Sequence, residues 1–414
     1  MDSKVPRRQL TRRGAIRLMT AVVGAAGLGR PFISQANTGA GIRIGLSVAQ
    51  DPANAANARH VRFGADWAVR QRGGKVLGQT VQVLVIDEPD GASLRASARD
   101  LIQGQRVAGL IGGSSTEAGM TLKALAAEAG VPVIIHSAIA DDITLRDTNP
   151  WTFRVPASAT AQFMALCPYV AEVGKRWFVL TGSDRTSHAS GVLSAPMIGD
   201  VGGLEVGRAG ITPGVTDHRA LIEAIRAAKP DVVLSGLQGA EAMTFLKAWH
   251  AAGMKDRIPY AQIGLSDTDL WALGGQVATG IYVKTYHYKS MKNPPAVKAF
   301  VAAFGRQYPG EVPGTAAFQA QAAMESLLSA VERAGGAEPG RVRDGLEQFA
   351  QPFGDITLRY RAGDRQMMHR LPILETKTIV RTRHDFWDIE GHAPEAASDL
   401  EAFYADAVRR AGRS

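Results

Sequence analysis

The chain has 414 residues, of which 45% are hydrophobic and 21% charged, a composition typical of a globular protein with a sizeable core. Its net charge of +8 depends on residues 1–36, which carry seven basic side chains and one acidic one. The rest of the chain has 40 basic and 38 acidic groups without a block of like charge, which argues against a nucleic-acid partner.

Residues 1–36 have the three parts of an export signal. Arg12-Arg13 precedes a weakly apolar Ala/Gly run, Leu18–Leu28, and Ser34-Gln35-Ala36 supplies small residues where a signal peptidase reads. Paired arginines are typical of the twin-arginine type, although Ala15-Ile16-Arg17 stands where that type usually has Phe-Leu-Lys. A disordered basic tail is the alternative, but it does not explain the small-residue triplet. We expect cleavage near Ala36 and a periplasmic protein, with the twin-arginine and general secretory routes both open.

From Gly41 onward, short apolar runs alternate with amphipathic segments of helical length. Strand candidates are Ile42–Ala49, Thr80–Asp87, Val107–Ile111 and Val131–His136, and helix candidates between them are Ala58–Gln71, Ser93–Gln103 and Glu117–Ala129. Apolar runs separated by helices predict a parallel sheet that is covered on both faces. The pattern restarts after Pro168, so we predict an α/β fold with two similar lobes.

The second half repeats this alternation before a polar tail. Its strand candidates are Trp177–Thr181, Asp231–Leu237, Pro259–Gly264, Ile281–Tyr286, Ile356–Tyr360 and Leu371–Leu374, and its helix candidates are His218–Lys229, Ala240–Ala252, Val297–Tyr308 and Ala316–Ala334. Beyond Arg381 we predict only a helix from Pro394 to Arg410. No apolar run after the leader reaches the ~18 residues of a membrane span. Cys167 is the single cysteine, which excludes an intrachain disulfide and a multi-thiolate metal site.

Several segments between Gly41 and Leu374 share their order and spacing with a known family. They are Gly64-Ala65-Asp66-Trp67-Ala68, Gly73 through Gly78, Val83–Asp87, Val107–Gly113, Ser114-Ser115-Thr116, Val131-Pro132-Val133, Phe318 through Gly336, Phe353 through Ile356, and Asp364-Arg365-Gln366. Together they resemble the branched-chain amino acid/amide group of periplasmic solute-binding proteins, type I fold, which serve ABC importers. The resemblance implies two Rossmann-like lobes joined by three crossovers, with residues 41–157 and 285–352 in one and 158–284 and 353–414 in the other.

The strongest candidate for ligand contact is Ser114-Ser115-Thr116, which lies between a strand end and the helix that starts near Glu117. Hydroxyls and free backbone N–H groups at such a helix N-terminus form an anion site. In the family this turn binds the ligand's carboxylate. Plain N-capping of the helix is the alternative, because Ser and Thr cap most helices.

The next strand end carries Ser137, Ala138 and Ile139. The resemblance implies a backbone N–H contact at Ala138, but the family's threonine hydroxyl is missing at Ile139. The family's ammonium-binding aspartate and glutamate fall near Ala159 and Ile263. Because a buried ammonium without partners costs several kcal/mol, we predict a ligand other than a simple α-amino acid, less polar and either acidic or neutral.

Three further candidates come from the second lobe. His188 stands where the resemblance implies a cleft tyrosine, although a lone histidine is as readily a satisfied surface or core residue. Gln238 and Gln262 follow strand ends that face the predicted cleft. Gln50 and Asp51, after the first strand, are weaker candidates of the same kind.

We find no hydrolase elbow, zinc-protease, Walker or dinucleotide motif in its required context, and we expect no catalytic residues, cofactor or metal. The leading hypothesis is a monomeric binding protein that closes around a small organic ligand and presents it to an ABC permease at the inner membrane. A sensory or accessory receptor of the same fold, without transport, is the second hypothesis, and an exported hydrolase is the third.

Overall fold

A computed structural model describes residues 41–290 and 294–412, apart from the side chains of His188 and Ser190. The predicted export signal, residues 1–36, lies outside this part of the chain and remains a prediction. Within the described ranges, none of the helices combines the length and the apolar character needed to cross a bilayer.

The first lobe is built on a six-stranded sheet in the spatial order β2-β3-β1-β4-β5-β6. In chain order its strands are β1 (Ile42–Val48), β2 (Lys75–Val76), β3 (Gln79–Asp87), β4 (Leu110–Gly112), β5 (Val133–Ile135) and β6 (Thr152–Arg154). β2 is antiparallel to β3, and the other neighbours are parallel. The packed helices are α1 (Ala55–Gln71), α9 (Pro295–Gln307), α10 (Thr315–Ala334) and α11 (Pro339–Glu347) on one face, and α2 (Gly91–Gln103) and α3 (Thr116–Ala129) on the other.

The second lobe has a seven-stranded sheet in the order β15-β14-β11-β10-β9-β7-β8. Its strands are β7 (Arg176–Thr181), β8 (Leu204–Gly210), β9 (Val232–Ser235), β10 (Tyr260–Gln262), β11 (Ile281–Val283), β14 (Leu371–Thr376) and β15 (Trp387–Ala393). The helices are α4 (Ala159–Val173), α5 (Arg185–Asp200) and α12 (Leu400–Ala411) on one face, and α6 (Arg219–Ala228), α7 (Gly239–Ala251) and α8 (Asp267–Leu273) on the other. β12 (Ala350–Phe353) and β13 (Ile356–Arg359) form a separate hairpin.

The central strands are apolar throughout because both of their faces are covered. In β7, Trp177 and Val179 pack in the core with α4 and α5, whereas Phe178 and Leu180 pack in the core with α6 and α7. Successive side chains of a strand point to opposite faces, so a doubly covered strand needs apolar residues at every position. The predicted α/β fold with two lobes is confirmed.

The chain passes between the sheets three times, and the first and third crossovers are bonded to each other. Arg154, at the end of β6, is completely buried. Its Nη1 donates to the carbonyl oxygens of Ile139 and Ala140, and its Nε donates to Gln366 Oε1 over 2.7 Å. Gln366 Nε2 in turn donates to the Pro156 carbonyl over 2.9 Å. These bonds fix the first and third crossovers to each other.

The third crossover lies later in the chain than the predicted boundary at residues 352 and 353. Leu358, Tyr360 and Met367 pack in the first lobe's core, Met368 packs in the second lobe's core, and the half-buried Ile356 lies against both. The hairpin of β12 and β13 therefore extends the first lobe. A resemblance that matched the turn at Asp364 could not show on which core the preceding hairpin packs.

The tail is more ordered than the sequence predicted. The predicted helix from Pro394 to Arg410 corresponds to α12, which begins later, at Leu400, and strand β15 precedes it in a stretch for which no element was predicted. β15 pairs only along one side with β14, and its acidic residues hid the strand pattern. Tyr404 of α12 docks on the third crossover, where its hydroxyl accepts from the backbone N–H of His369 over 3.1 Å.

Helices α1 and α10 approach each other so closely that only glycine fits at position 64. A Cβ at Gly64 would lie 1.9 Å from the backbone oxygen of Ala317, an atom that no rotamer change can move. We expect Gly64→Ala to destabilise the protein by about 1–3 kcal/mol through overpacking, measured by urea unfolding. Gly199→Ala is the matched control, because the exposed helical Gly199 has no atom within 4 Å of the new Cβ. Equal stability of both variants would contradict the close approach.

Candidate functional site

A cleft of about 410 Å³ is lined by both lobes, where the carboxyl ends of their parallel strands meet. The first lobe contributes the turns after β4 and β5, and the second contributes those after β7, β9 and β10. The predicted site residues that line this cleft are Ser114, Ser115, Thr116, Ser137, Ala138, Ile139 and Gln238. Their contact with a ligand remains a prediction.

The other two predicted residues are placed differently. Gln262 is completely buried within the second sheet, where its Nε2 donates to the Leu237 carbonyl over 2.6 Å and its Oε1 accepts from the Tyr260 hydroxyl. It does not line the cleft. The backbone of His188 belongs to α5, but its side chain lies outside the described part of the structure, so its role stays a prediction.

The turn before α3 supports both the capping and the ligand interpretation. Ser115 Oγ accepts from Ala118 N over 3.1 Å, which is the expected N-cap bond, and Ser114 Oγ accepts from Ala49 N over 3.1 Å. Because each hydroxyl oxygen accepts from a backbone group, its proton is available for an acceptor in the cleft. Thr116 begins the helix and completes this wall.

A carboxylate of the protein already occupies part of this turn. Glu88 accepts from the backbone N–H groups of Gly113 and Ser114, each over 2.9 Å, and from the Ser47 hydroxyl over 2.6 Å. The N–H of Ser114 is therefore not free, contrary to the sequence prediction. A ligand anion would depend on the hydroxyls and on the helix dipole rather than on this N–H group.

The turn after β5 also differs from what the resemblance implies. The N–H of Ala138 donates to the Gly113 carbonyl over 3.0 Å, so it is engaged within the first lobe. The Ile139 side chain is buried and packs against Gly264 of the second lobe. Ala159 and Ile263, which replace the family's carboxylates, are buried and do not line the cleft.

An ion pair in the wall of the cleft escaped the sequence analysis. Asp267 Oδ1 lies 3.1 Å from Lys284 Nζ, and the two side chains are only 7% and 5% exposed. Asp267 Oδ2 accepts from the backbone N–H of Thr315, the first residue of α10 in the other lobe, over 2.5 Å. Burial would raise the pKa of Asp267, but Lys284 and Thr315 outweigh it and hold the pKa below its usual value. A lysine directly after an apolar strand was the available signal.

The remaining ionisable groups of the cleft are mostly committed to helix ends. Asp184 caps α5 by accepting from Ser187 N over 3.0 Å, and Glu241 accepts from the Ser183 N–H over 3.0 Å. Burial raises the pKa of Asp269, in the first turn of α8. Acids in the first turn of a helix offset the helix dipole, so the cleft is less electropositive than its helix ends alone would make it.

The lobes touch each other directly across the cleft. The hydroxyls of Thr116 in α3 and Thr186 in α5 lie 2.5 Å apart, and both side chains are buried. On the outside, Arg185 Nη1 lies 3.5 Å from Asp142 Oδ2. The Asp267 to Thr315 bond is a third link. The described conformation is therefore one in which the lobes are bonded to each other.

We expect Lys284→Met to destabilise the fold by about 3–5 kcal/mol, because it leaves the buried carboxylate of Asp267 without its cation. The double variant Lys284→Met/Asp267→Asn should lose less than the sum of the single changes, as measured in a double-mutant cycle of urea unfolding. Because the folded-state pKa of Asp267 lies below its ordinary 3.8, its contribution is complete at neutral pH and is lost only as the pH falls through that lower value. Additive losses at pH 7 would show that the pair is not coupled.

Comparison with known proteins gives the family. The profile of a family described as periplasmic binding protein matches residues 41–380. The Leu/Ile/Val-binding protein homolog 3 of Brucella melitensis is 29% identical over 324 residues, which are 77% of this chain and 85% of the relative. As its name and the family describe binding proteins, the prediction that the chain is not an enzyme is confirmed.

Solved structures give the same fold. An amino acid ABC transporter substrate-binding protein from Pseudomonas fluorescens Pf-5 superimposes with a TM-score of 0.79 at 17% identity, covering 88% of this chain and 99% of that one. A solute-binding protein of an ABC transporter from R. palustris, in complex with benzoate, gives a TM-score of 0.76 at 21% identity, covering 87% and 99%. The chain belongs to the periplasmic binding protein family.

Proposed function

We propose that this protein delivers a small organic solute, other than a simple α-amino acid, to an ABC importer by hinge closure of its two lobes. The observation that carries the proposal is the cleft of about 410 Å³, which both lobes line. A cavity of this size suits a small molecule. A ligand that contacts both walls stabilises the closed arrangement, because those contacts exist together only when the lobes meet.

The hinge proposal is supported by the positions of the hydrogen bonds that join the two lobes. Arg154 and Gln366 link the crossovers on one side of the cleft, and Thr116 and Thr186 link the two walls. A single hydrogen bond between hydroxyls contributes about 0.5–1.5 kcal/mol, which is small enough to break and reform during each cycle of binding. The crossovers are held by several bonds at once and act as the pivot.

The ligand proposal depends on the chemistry of the first wall. Ser114, Ser115 and Thr116 offer hydroxyls at the N-terminus of α3, which favours an acidic group. The family's ammonium partners are replaced by Ala159 and Ile263, which lie in the core. The benzoate bound by the R. palustris structure is an acid without an ammonium group, whereas the Brucella relative is named for amino acids. We propose the acid, without an α-ammonium group, for this chain.

The partners follow from this proposal. We propose that the protein works as a monomer in the periplasm, that an export signal is removed near Ala36, and that an ABC permease at the inner membrane receives the ligand. Stimulation of the ATPase activity of the reconstituted importer by the loaded protein would support delivery. If the loaded protein instead changes the activity of a sensor kinase and leaves the ATPase activity of the importer unchanged, the receptor hypothesis is supported.

The ligand can be identified from protein purified without refolding. We expect denaturation to release a small organic acid, which mass spectrometry identifies. Calorimetry should then show that the ligand-free protein rebinds this acid. Leucine, isoleucine and valine serve as comparison ligands in the same titration. Tight binding of these amino acids, with no binding of organic acids, would overturn the ligand proposal and leave the binding-protein family intact.

The closure proposal is tested at Thr186. We expect Thr186→Val to weaken binding of the recovered solute about two- to tenfold, because the closed form loses its hydrogen bond to Thr116. Thr121→Val is the matched control, since the Thr121 hydroxyl donates within its own helix to the Glu117 carbonyl. Small-angle scattering of the ligand-free variants should show a larger radius of gyration for Thr186→Val alone. Unchanged affinity and size would argue against a closing bond at this position.

A further inference from the structure

Ser137 is the cleft end of a chain of polar contacts that runs through the first lobe from Glu88. The Ser47 hydroxyl donates to Glu88, and the Ser47 carbonyl oxygen lies 3.3 Å from Nε2 of His136. The other ring nitrogen, Nδ1, lies 2.7 Å from Ser137 Oγ. His136 is completely buried, whereas Ser137 is partly exposed and lines the cleft.

The direction of the bond between His136 and Ser137 follows from the contact of the ring with the Ser47 carbonyl. A carbonyl oxygen can only accept, so Nε2 of His136 must carry the hydrogen that it shares with Ser47. Burial lowers the pKa of His136, although Glu88 opposes the shift, so the ring is neutral and has a single N–H. Nδ1 is then a bare lone pair, and the Ser137 hydroxyl has to donate its proton to it.

Ser137 therefore differs from the other serines of the same wall in the hydrogen-bonding role that it offers a ligand. Ser114 and Ser115 accept from backbone N–H groups and keep their protons for the cleft. Ser137 gives its proton to His136 and presents only oxygen lone pairs. The three hydroxyls look alike in the sequence, but two of them match a ligand acceptor and the third matches a ligand donor.

We infer that Ser137, oriented by His136, selects a solute that carries an O–H or N–H donor in addition to its acidic group, so that a hydroxy or amino derivative of an organic acid is preferred to its ether. The inference rests on the proposed function, since it presupposes that the cleft binds a solute. A ligand with only an ether oxygen at this position would leave two sets of lone pairs facing each other.

The tautomer of His136 can be measured without any ligand. We expect two-dimensional ¹⁵N–¹H NMR of the histidine-labelled chain at pH 7 to show a neutral His136 ring with hydrogen on Nε2, assigned by loss of its signals in His136→Phe or, should that variant not fold, in His136→Gln. A ring with hydrogen on Nδ1, or on both nitrogens, would overturn the inference whatever the cleft binds.

Binding selectivity is measured with matched probes. These are the 3- and 4-hydroxy-, amino- and methoxybenzoates, together with 3-hydroxybutyrate and 3-methoxybutyrate. We expect the unmodified protein to bind a hydroxy or amino probe about tenfold more tightly than the matching methoxy probe. Ser137→Ala should reduce this preference to within about threefold, and His136→Phe should do the same by allowing Ser137 to donate. Ser194→Ala is the control and should keep the preference, because the Ser194 hydroxyl donates to the Gly191 carbonyl in the second lobe.

The outcomes separate the two proposals. Equal binding of hydroxy and methoxy probes by the unmodified protein, or an undiminished preference in Ser137→Ala, would overturn the role of Ser137 while the binding function stands. Binding of none of the acids, in a protein whose His136 carries hydrogen on Nε2, would overturn the proposed ligand class and the selection with it.

Discussion

A buried arginine at the crossovers is the constraint on which the two-lobed structure depends. Arg154 ends the last strand of the first sheet, and its guanidinium is bonded to two carbonyl oxygens of its own lobe and to Gln366 of the returning chain. Burial lowers the pKa of Arg154 to about 10, with Asp141 opposing, so the group remains charged at neutral pH. A buried charge is costly without hydrogen-bond acceptors, and here the turn after β5 supplies two carbonyl oxygens and the third crossover supplies Gln366, which leaves only Nη2 without an acceptor.

This arrangement keeps the bonded crossovers separate from the cleft. The crossovers are held by side chains that reach into the protein, and the cleft is lined by turns at the carboxyl ends of strands. Those turns are short and carry helix N-termini, so their polar groups are fixed by capping bonds before any solute arrives. The contrast between Ser115, which caps a helix, and Ser137, which is bonded to a histidine, shows how fixed partners give similar side chains different roles.

The fold could be predicted from the sequence because its signals are local. Strands such as Trp177–Thr181 are apolar at every position, and helix-length segments separate them, which is sufficient for a doubly covered parallel sheet. β15 was missed because Asp388 and Glu390 interrupt its apolar character at the edge of the sheet. The later position of the third crossover depends on which core a hairpin joins, and no local pattern encodes that choice.

The turns that line the cleft were predicted, but their bonding was not. Strand ends located the turns correctly in the chain, yet the side chain of Gln262 is buried in the second lobe, where it donates to the Leu237 carbonyl, and it does not line the cleft. Lys284 follows β11 and Asp267 begins α8, so only the tertiary fold brings the two side chains together. The bonds of Glu88 to Gly113 and Ser114 join residues 25 and 26 positions apart, and they decide which backbone donors are left.

The position of Glu88 has a consequence for selectivity against salts. Phosphate, sulfate and chloride are attracted to bare amide groups at helix ends, and a receptor with an open nest of amides would be partly filled by them. Here the carboxylate of Glu88 already accepts from two such amide groups, those of Gly113 and Ser114. An inorganic ion therefore finds fewer donors here, and under the proposed function the shape and hydroxyl pattern of the solute decide its occupancy together with its charge.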